Sequence, residues 1–188
     1  MKLLRRIQYN APVTLTFALA ALAALVLDRL TGGWSTARLF CVYRSSLLDP
    51  LTYIRAFFHV LGHSGWAHYS GNILLLLVLG PSLEDRYGSR TVLECIAVTA
   101  FITGLLQWLL FPGTAVLGAS GIVFMMILMS SMAGMRQGGI PLTLILVAVF
   151  YIGGEVVALT ASDNVSQLSH IVGGLCGAAF GFLLGKKG

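Results

Sequence analysis

The 188-residue chain is 57% hydrophobic and 10% charged, with a mean hydropathy of +0.87. That is too little polar surface to cover a soluble globule, so the expected solvent is a lipid bilayer. The net charge of +5 does not imply nucleic acid, because the basic residues are scattered at the ends of apolar runs, the pattern of positive-inside topology. Cys41, Cys95 and Cys176 stand far apart with no CxxC or Cys/His ligand spacing. They offer neither a disulfide framework nor a zinc site and read as small apolar fillers.

In chain order, residues 1–10 carry Lys2, Arg5 and Arg6 ahead of an apolar run over 11–27 that is long enough to span with little tilt. A basic start before small apolar residues also describes a cleaved signal peptide, and the downstream topology is the same in either case. From Asp28 to about Trp66 the chain mixes Arg29, Arg38, Arg44, Asp49 and Arg55 with Leu51, Tyr53, Ile54, Phe57, Phe58, Val60 and Leu61. This predicts a long, partly helical first outer loop lying in the interface or dipping into it. Five further apolar segments follow at about 68–83, 91–110, 118–135, 140–159 and 167–184. The breaks between them are Glu84-Asp85-Arg86-Tyr87-Gly88, Pro112-Gly113, Arg136-Gln137-Gly138-Gly139 and Ser162-Asp163-Asn164. The expected architecture is an all-α membrane protein, one domain over 1–188 built as a bundle of six transmembrane helices. With both termini inside, eight Lys and Arg residues fall inside and four outside, which predicts an N-in, C-in protein of the cell membrane.

The chemistry centres on Gly118-Ala119-Ser120-Gly121. Phe111-Pro112-Gly113-Thr114 cannot continue a helix, so Ser120 is expected in the first turn of the next one, where unpaired N–H groups and the helix dipole favour an oxyanion. The same small residues equally serve close helix packing. In the predicted topology the fourth and sixth spans both run inward. His170 lies about 9 Å of helix rise below Asn164, in the same leaflet as Ser120. His68 and Asn72, four apart on one helical face, enter at that level from the second span. Polar side chains are costly in hydrocarbon and mark sites by default; the structural alternatives are a His68–Asn72 pair bonded to loop backbone and a His170 bonded between helices. Ser169, Gly173, Gly177, Gly181 and Gly185 form an i, i+4 ridge of small residues that lets the Ser120 helix approach and a short serine reach an imidazole.

These residues resemble the rhomboid intramembrane serine proteases, over about Arg55 to Gly181. The GxSG motif is Gly118 to Gly121, the His-xx-Gly-xxx-Gly motif is His170, Gly173 and Gly177, and the His-xxxx-His-xxx-Asn spacing is His63, His68 and Asn72. Leu83 to Ser89 is similar to the family's Glu-containing inner turn. The resemblance implies Ser120 as nucleophile, His170 as base, and an oxyanion hole drawn from His68, Asn72 and the backbone at Ser120 and Gly118. Gly121, Gly173, Gly177, His63 and Phe124 would support it. The chain departs from the family pattern at Ile54-Arg55, where a Trp-Arg pair is usual, at Phe124, where many members have tyrosine, and at Ser169, where alanine is usual.

Asp49 and Asp163 fall in outer loops and Glu155 in the outer part of the fifth span, as a solvated residue or part of a substrate gate. A Ser120–His170 dyad is therefore expected to act without a third member. Ser166, Gln167, Ser169 and His63 are expected to make the approach polar enough to hold water. As the resemblance implies, the substrates would be transmembrane segments of other proteins, cut where the helix unwinds. The four histidines include no HExxH and there is no phosphate loop, so no metal or organic cofactor is expected, and no obligatory partner is evident. The competing readings are a catalytically silent relative that binds and routes membrane proteins, and a small transporter. The transporter would need polar groups through both leaflets, whereas Leu74–Leu79 and Phe124–Met129 are almost wholly apolar.

Overall fold

The computed structural model describes residues 8–133 and 164–185, together with positions 139, 142, 145, 146 and 149. Most of the fifth span expected over 140–159, with Glu155 and Asp163, lies outside these. Helix α1, Pro12–Leu30, opens with proline in its first turn, where a missing N–H costs nothing. It is followed by α2 (Trp34–Leu39), strand β1 (Val42–Tyr43), α3 (Pro50–Phe58) and a 3-10 turn, His59–Leu61. Helices α4 (Trp66–Tyr87) and α5 (Ser89–Leu110) come next, then β2 (Ala115–Val116), α6 (Ser120–Ala133) and α7 (Asn164–Gly185).

The chain is mostly helical, and among the described residues three stretches are long and apolar enough to cross a membrane: Pro12–Leu30, Ser89–Leu110 and Gln167–Gly185. Helix α4 has 22 residues, but His68, Ser70 and Asn72 in its first two turns lower its hydropathy, and it is not among the three.

Two expectations need correction. The five-residue break at 84–88 shrinks to Gly88 alone, whose φ of +82° turns the chain between α4 and α5. Glu84, Asp85 and Arg86 contain no helix breaker and continue α4. The fold is also not wholly α: Val42 pairs with Val116 and Tyr43 with Ala115 in an antiparallel ladder. This ladder ties the first loop to the segment that leads into Ser120.

Helix α6 is the centre of the molecule. Ile122, Met125, Met126 and Met129 are fully buried, and burial around nearly the whole circumference is the mark of a helix enclosed by others. Its most extensive partner is α7, with α4 and α5 also against it. A side chain added at Gly173 would overlap the Gly121 carbonyl oxygen, and one at Gly177 the Met125 carbonyl oxygen. At Gly181 it would lie 2.7 Å from Met132 Cβ. The small-residue ridge of α7 therefore lies directly on the backbone of α6.

The remaining helices are held by polar contacts. The Glu84 carboxylate accepts from the N–H of Val13 at 3.1 Å, the N–H of Thr14 at 2.7 Å and the hydroxyl of Thr14 at 2.6 Å. It thus caps the start of α1 from the end of α4. In the first loop Arg55 is 1% exposed. Its Nη2 donates to Asp49 Oδ2 at 2.7 Å and Ser45 Oγ at 2.9 Å, and its guanidinium lies 4.5 Å from the Tyr43 ring centre. Asp49 in turn caps α3 by accepting from Leu51 N–H at 3.0 Å. Arg55 therefore gathers α3, β1 and their connection without a tryptophan beside it.

Candidate active site

Ser120 is the first residue of α6. The N–H groups of Ser120, Gly121 and Ile122 precede the helical ladder, which begins with Val123 N–H donating to Ala119 O at 2.9 Å. The loop before it is braced on three sides. Gly118 N–H donates to His59 O at 3.0 Å, and Ala119 N–H points at His63 Nε2 at 3.5 Å. Gln107 Nε2 donates to Thr114 Oγ1 at 3.0 Å.

Gly118 has φ +127°, and a Cβ there would lie 2.8 Å from both Cε1 and Nε2 of His68. Only glycine both adopts that backbone and admits the imidazole. Its amide is already given to His59, so Gly118 acts as the seat of His68 and not as an oxyanion donor, which corrects that expectation. Ser64 N–H lies 3.5 Å and Ser64 Oγ 3.2 Å from His68 Nδ1. With Nδ1 accepting, the neutral ring carries its hydrogen on Nε2, the atom facing Gly118. Asn72 is half-buried on the same face, its Nδ2 donating to His68 O at 3.1 Å.

On the other side of Ser120, a Cβ at Gly121 would lie 3.1 Å from Ser169 O, so the first turn of α6 meets the turn of α7 that carries His170. The Phe124 ring, one turn after Ser120, lies 4.6 Å from His170 at 45°; it packs on the imidazole without a hydroxyl. Ser120, His68, Asn72, Phe124 and His170 thus gather around the start of α6.

Among the residues expected to make the approach polar, His63, Gln167 and Ser169 are instead buried, and the Ser166 side chain lies outside the described residues. His63 is a brace: Nδ1–H donates to Leu61 O at 3.1 Å, leaving Nε2 to accept from Ala119. Its ring stands edge-on to His68, with centres 4.9 Å apart. Burial pushes it down to about 4, which keeps it neutral and able to accept.

His59 was not singled out in the sequence. It is fully buried, its Nδ1 lies 3.3 Å from Arg55 O and its Nε2 3.3 Å from Thr103 Oγ1, and burial holds it down at about 4. It works through its backbone carbonyl on Gly118, and its only sequence signal is the spacing of three histidines at 59, 63 and 68. Among the described residues no group of three His, Cys, Asp or Glu side chains could hold a metal ion. Cys41 is buried, which raises its thiol to about 11; it is a filler, not a nucleophile.

The long apolar helices and the buried polar cluster at one end of α6 define a helical membrane protein. The chain belongs to the rhomboid family: the family model for the Rhomboid domain matches residues 50–187. Comparison with curated proteins returns no significant match.

Proposed function

We propose that this protein is an intramembrane serine endopeptidase that hydrolyses peptide bonds in or near transmembrane segments of other membrane proteins. The observation that carries the reading is the close approach of Gly121 to Ser169 O, and of Gly173 to Gly121, beside a His170 ring packed on Phe124. These contacts support the reading because they bring the turn of α6 that begins with Ser120 against the turn of α7 that carries His170.

In the proposed reaction His170 takes the proton of Ser120 Oγ as the oxygen attacks the scissile carbonyl carbon, then delivers it to the leaving amine. The oxyanion forms at the N-terminus of α6, where the Ser120 N–H and helix dipole meet His68 Nε2–H and the second Asn72 amide hydrogen. Water then resolves the Ser120 ester. No cofactor enters the reaction. The protein is read as one domain crossing the cell membrane with both termini inside and the site toward the outer side, the bilayer and its transmembrane substrates being its partners.

The test is co-reconstitution in vesicles with a panel of single-span segments that differ only in the number of Gly and Pro residues. Cleavage of the most easily unwound segments, abolished in both Ser120→Ala and His170→Ala, is the expected result. Segments bound but left intact by the parent would overturn the reading and favour a protein that routes membrane proteins without cutting them.

A further inference from the structure

Between Asp28 and Trp66 the chain carries Arg29, Arg38, Arg44 and Arg55 against Asp28 and Asp49. That is an excess of positive charge on the outer side of the proposed topology, where arginine is normally depleted. Arg55 is buried and paired with Asp49. Arg29, Arg38 and Arg44 are exposed, and among the described residues none of them has a carboxylate within ion-pair distance.

Their height is set by α5, one of the helices able to cross a membrane. Near its outer end Trp108 Nε1 donates to Ser45 O at 3.1 Å, and the Arg44 guanidinium lies 5.2 Å from the centre of the Trp108 ring. Arg38 is held at the same level, since Arg55 Nη1 donates to Arg38 O at 3.4 Å while its Nη2 donates to Ser45 Oγ at 2.9 Å. Arg29, in the last turn of α1, reaches the start of α4, where a Cβ at Gly65 would lie 3.4 Å from its Nη2. Farther along, the loop descends. Phe57 stacks on Phe101 with ring centres 5.3 Å apart, and Phe101 lies about 10 Å of helix rise below Trp108. Tyr53, Ile54, Phe57 and Phe58 are exposed along that descent. The loop therefore has an apolar flank at the depth of acyl chains and a rim of cations at the end of a span, which is the level of lipid phosphates.

We infer that Arg29, Arg38 and Arg44 form a binding surface for the headgroups of anionic phospholipids in the outer leaflet. A guanidinium presents a planar fork of N–H donors that matches a phosphate. Stacking on Trp108 uses the face of the Arg44 guanidinium and leaves its N–H edge to the phosphate. A zwitterionic headgroup offers the same phosphate with an ammonium beside it, so lipids of net negative charge are selected. The selection depends on the outer placement of this loop and not on the chemistry of Ser120.

The tryptophans give a reporter confined to this side, because Trp34 lies in the loop, Trp66 begins α4 and Trp108 is near the end of α5, and the chain has three in all. The full-length protein, as Ser120→Ala, is reconstituted in phosphatidylcholine vesicles in which either brominated phosphatidylglycerol or brominated phosphatidylcholine replaces part of the lipid. Half-maximal quenching is expected at an about fivefold lower mole fraction of the brominated phosphatidylglycerol, the factor that corresponds to ~1 kcal/mol from one well-placed arginine. High salt should shrink that ratio, and the combined Arg29→Gln, Arg38→Gln and Arg44→Gln variant should bring it to about one with an unchanged melting temperature. Basic residues on the inner side do not enter this readout.

Equal quenching of the parent by the two lipids would overturn the inference and leave the arginines to acidic residues of a partner protein. A ratio that survives in the combined variant would overturn it equally, since the selection would then lie elsewhere on the outer surface. Arg38→Gln alone is the check against misfolding of the combined variant: it keeps Arg29 and Arg44 and should lower the ratio only in part, and an unchanged ratio removes Arg38 from the surface.

Discussion

Gly173→Ala isolates the contact on which the site depends. A Cβ at this position overlaps the Gly121 carbonyl oxygen and lies 2.8 Å from Gly121 C and 3.0 Å from its Cα. All three are backbone atoms of α6, so no flexible side chain can move aside. Ordinary carbon contacts lie at about 3.5–4.0 Å, and clearing the overlapped carbonyl oxygen as well requires the two helices to part by roughly 1 Å. Overpacking of this kind costs about 1–3 kcal/mol, and the rigidity of the neighbour places Gly173→Ala toward the upper end. The same displacement moves His170 away from Ser120, and a misplacement of about 1 Å lowers reactivity by about 100-fold. Gly71→Ala is the control. A Cβ there meets nothing within 4 Å, and alanine in the interior of α4 gains up to about 1 kcal/mol over glycine. Reversible unfolding in detergent, with fluorophosphonate labelling rates on the same samples, reads both effects. A Gly173→Ala protein that unfolds with Gly71→Ala and labels at the parental rate would refute the close approach of α6 and α7.

Three further outcomes follow from particular contacts. Glu84→Ala leaves the N–H groups of Val13 and Thr14 and the Thr14 hydroxyl without their acceptor, which predicts a loss of about 2–3 kcal/mol by thermal unfolding; Glu84→Gln should lose less. The Asp49 carboxyl is held below its usual range by its hydrogen bonds to Arg55 and Leu51 N–H, so its contribution is present above about pH 4 and is lost as pH falls through the lower folded value. Limited proteolysis in the 40–58 segment should accelerate in that acid range in the parent and be independent of pH there in Asp49→Asn. His59 and His63 are both held down at about 4 from 6.5. The unfolded chain binds protons at these positions first, so stability should fall as pH drops from about 6.5 to 4. His59→Gln should flatten that slope in pH-dependent melts.

The elements legible in the sequence were those that follow from local rules. Proline and glycine at 112–113 end one helix, and Ser120 begins the next where expected. The i, i+4 spacing from Ser169 to Gly185 predicted a face that α6 covers, and Gly173, Gly177 and Gly181 do lie against α6, whereas a Cβ at Gly185 would meet nothing within 4 Å. His68 and Asn72 share their turn as four-residue spacing requires.

What escaped was long-range or carried by the backbone. Glu84 caps α1 from 70 residues away, and charge at an apolar run's end looks the same whether it faces water or a helix terminus. The ladder of β1 and β2 has two residues on each side, too few for alternation to show. His59 acts on Gly118 through its carbonyl oxygen, an atom every residue has, so side-chain chemistry did not single it out. Gly118 was a donor only by the resemblance, and the backbone turn that gives it φ +127° aims its N–H at His59.

The measurement that bears most directly on the Ser120–His170 dyad is fluorophosphonate labelling of the folded, detergent-solubilised protein, with the modified residue located by peptide mass. Covalent labelling at Ser120, absent in Ser120→Ala and reduced at least 100-fold in His170→Ala, a scale consistent with loss of general-base assistance, is the predicted result. A folded parent that does not label, or one whose labelling at Ser120 persists unchanged in His170→Ala, would contradict an activated serine at this site.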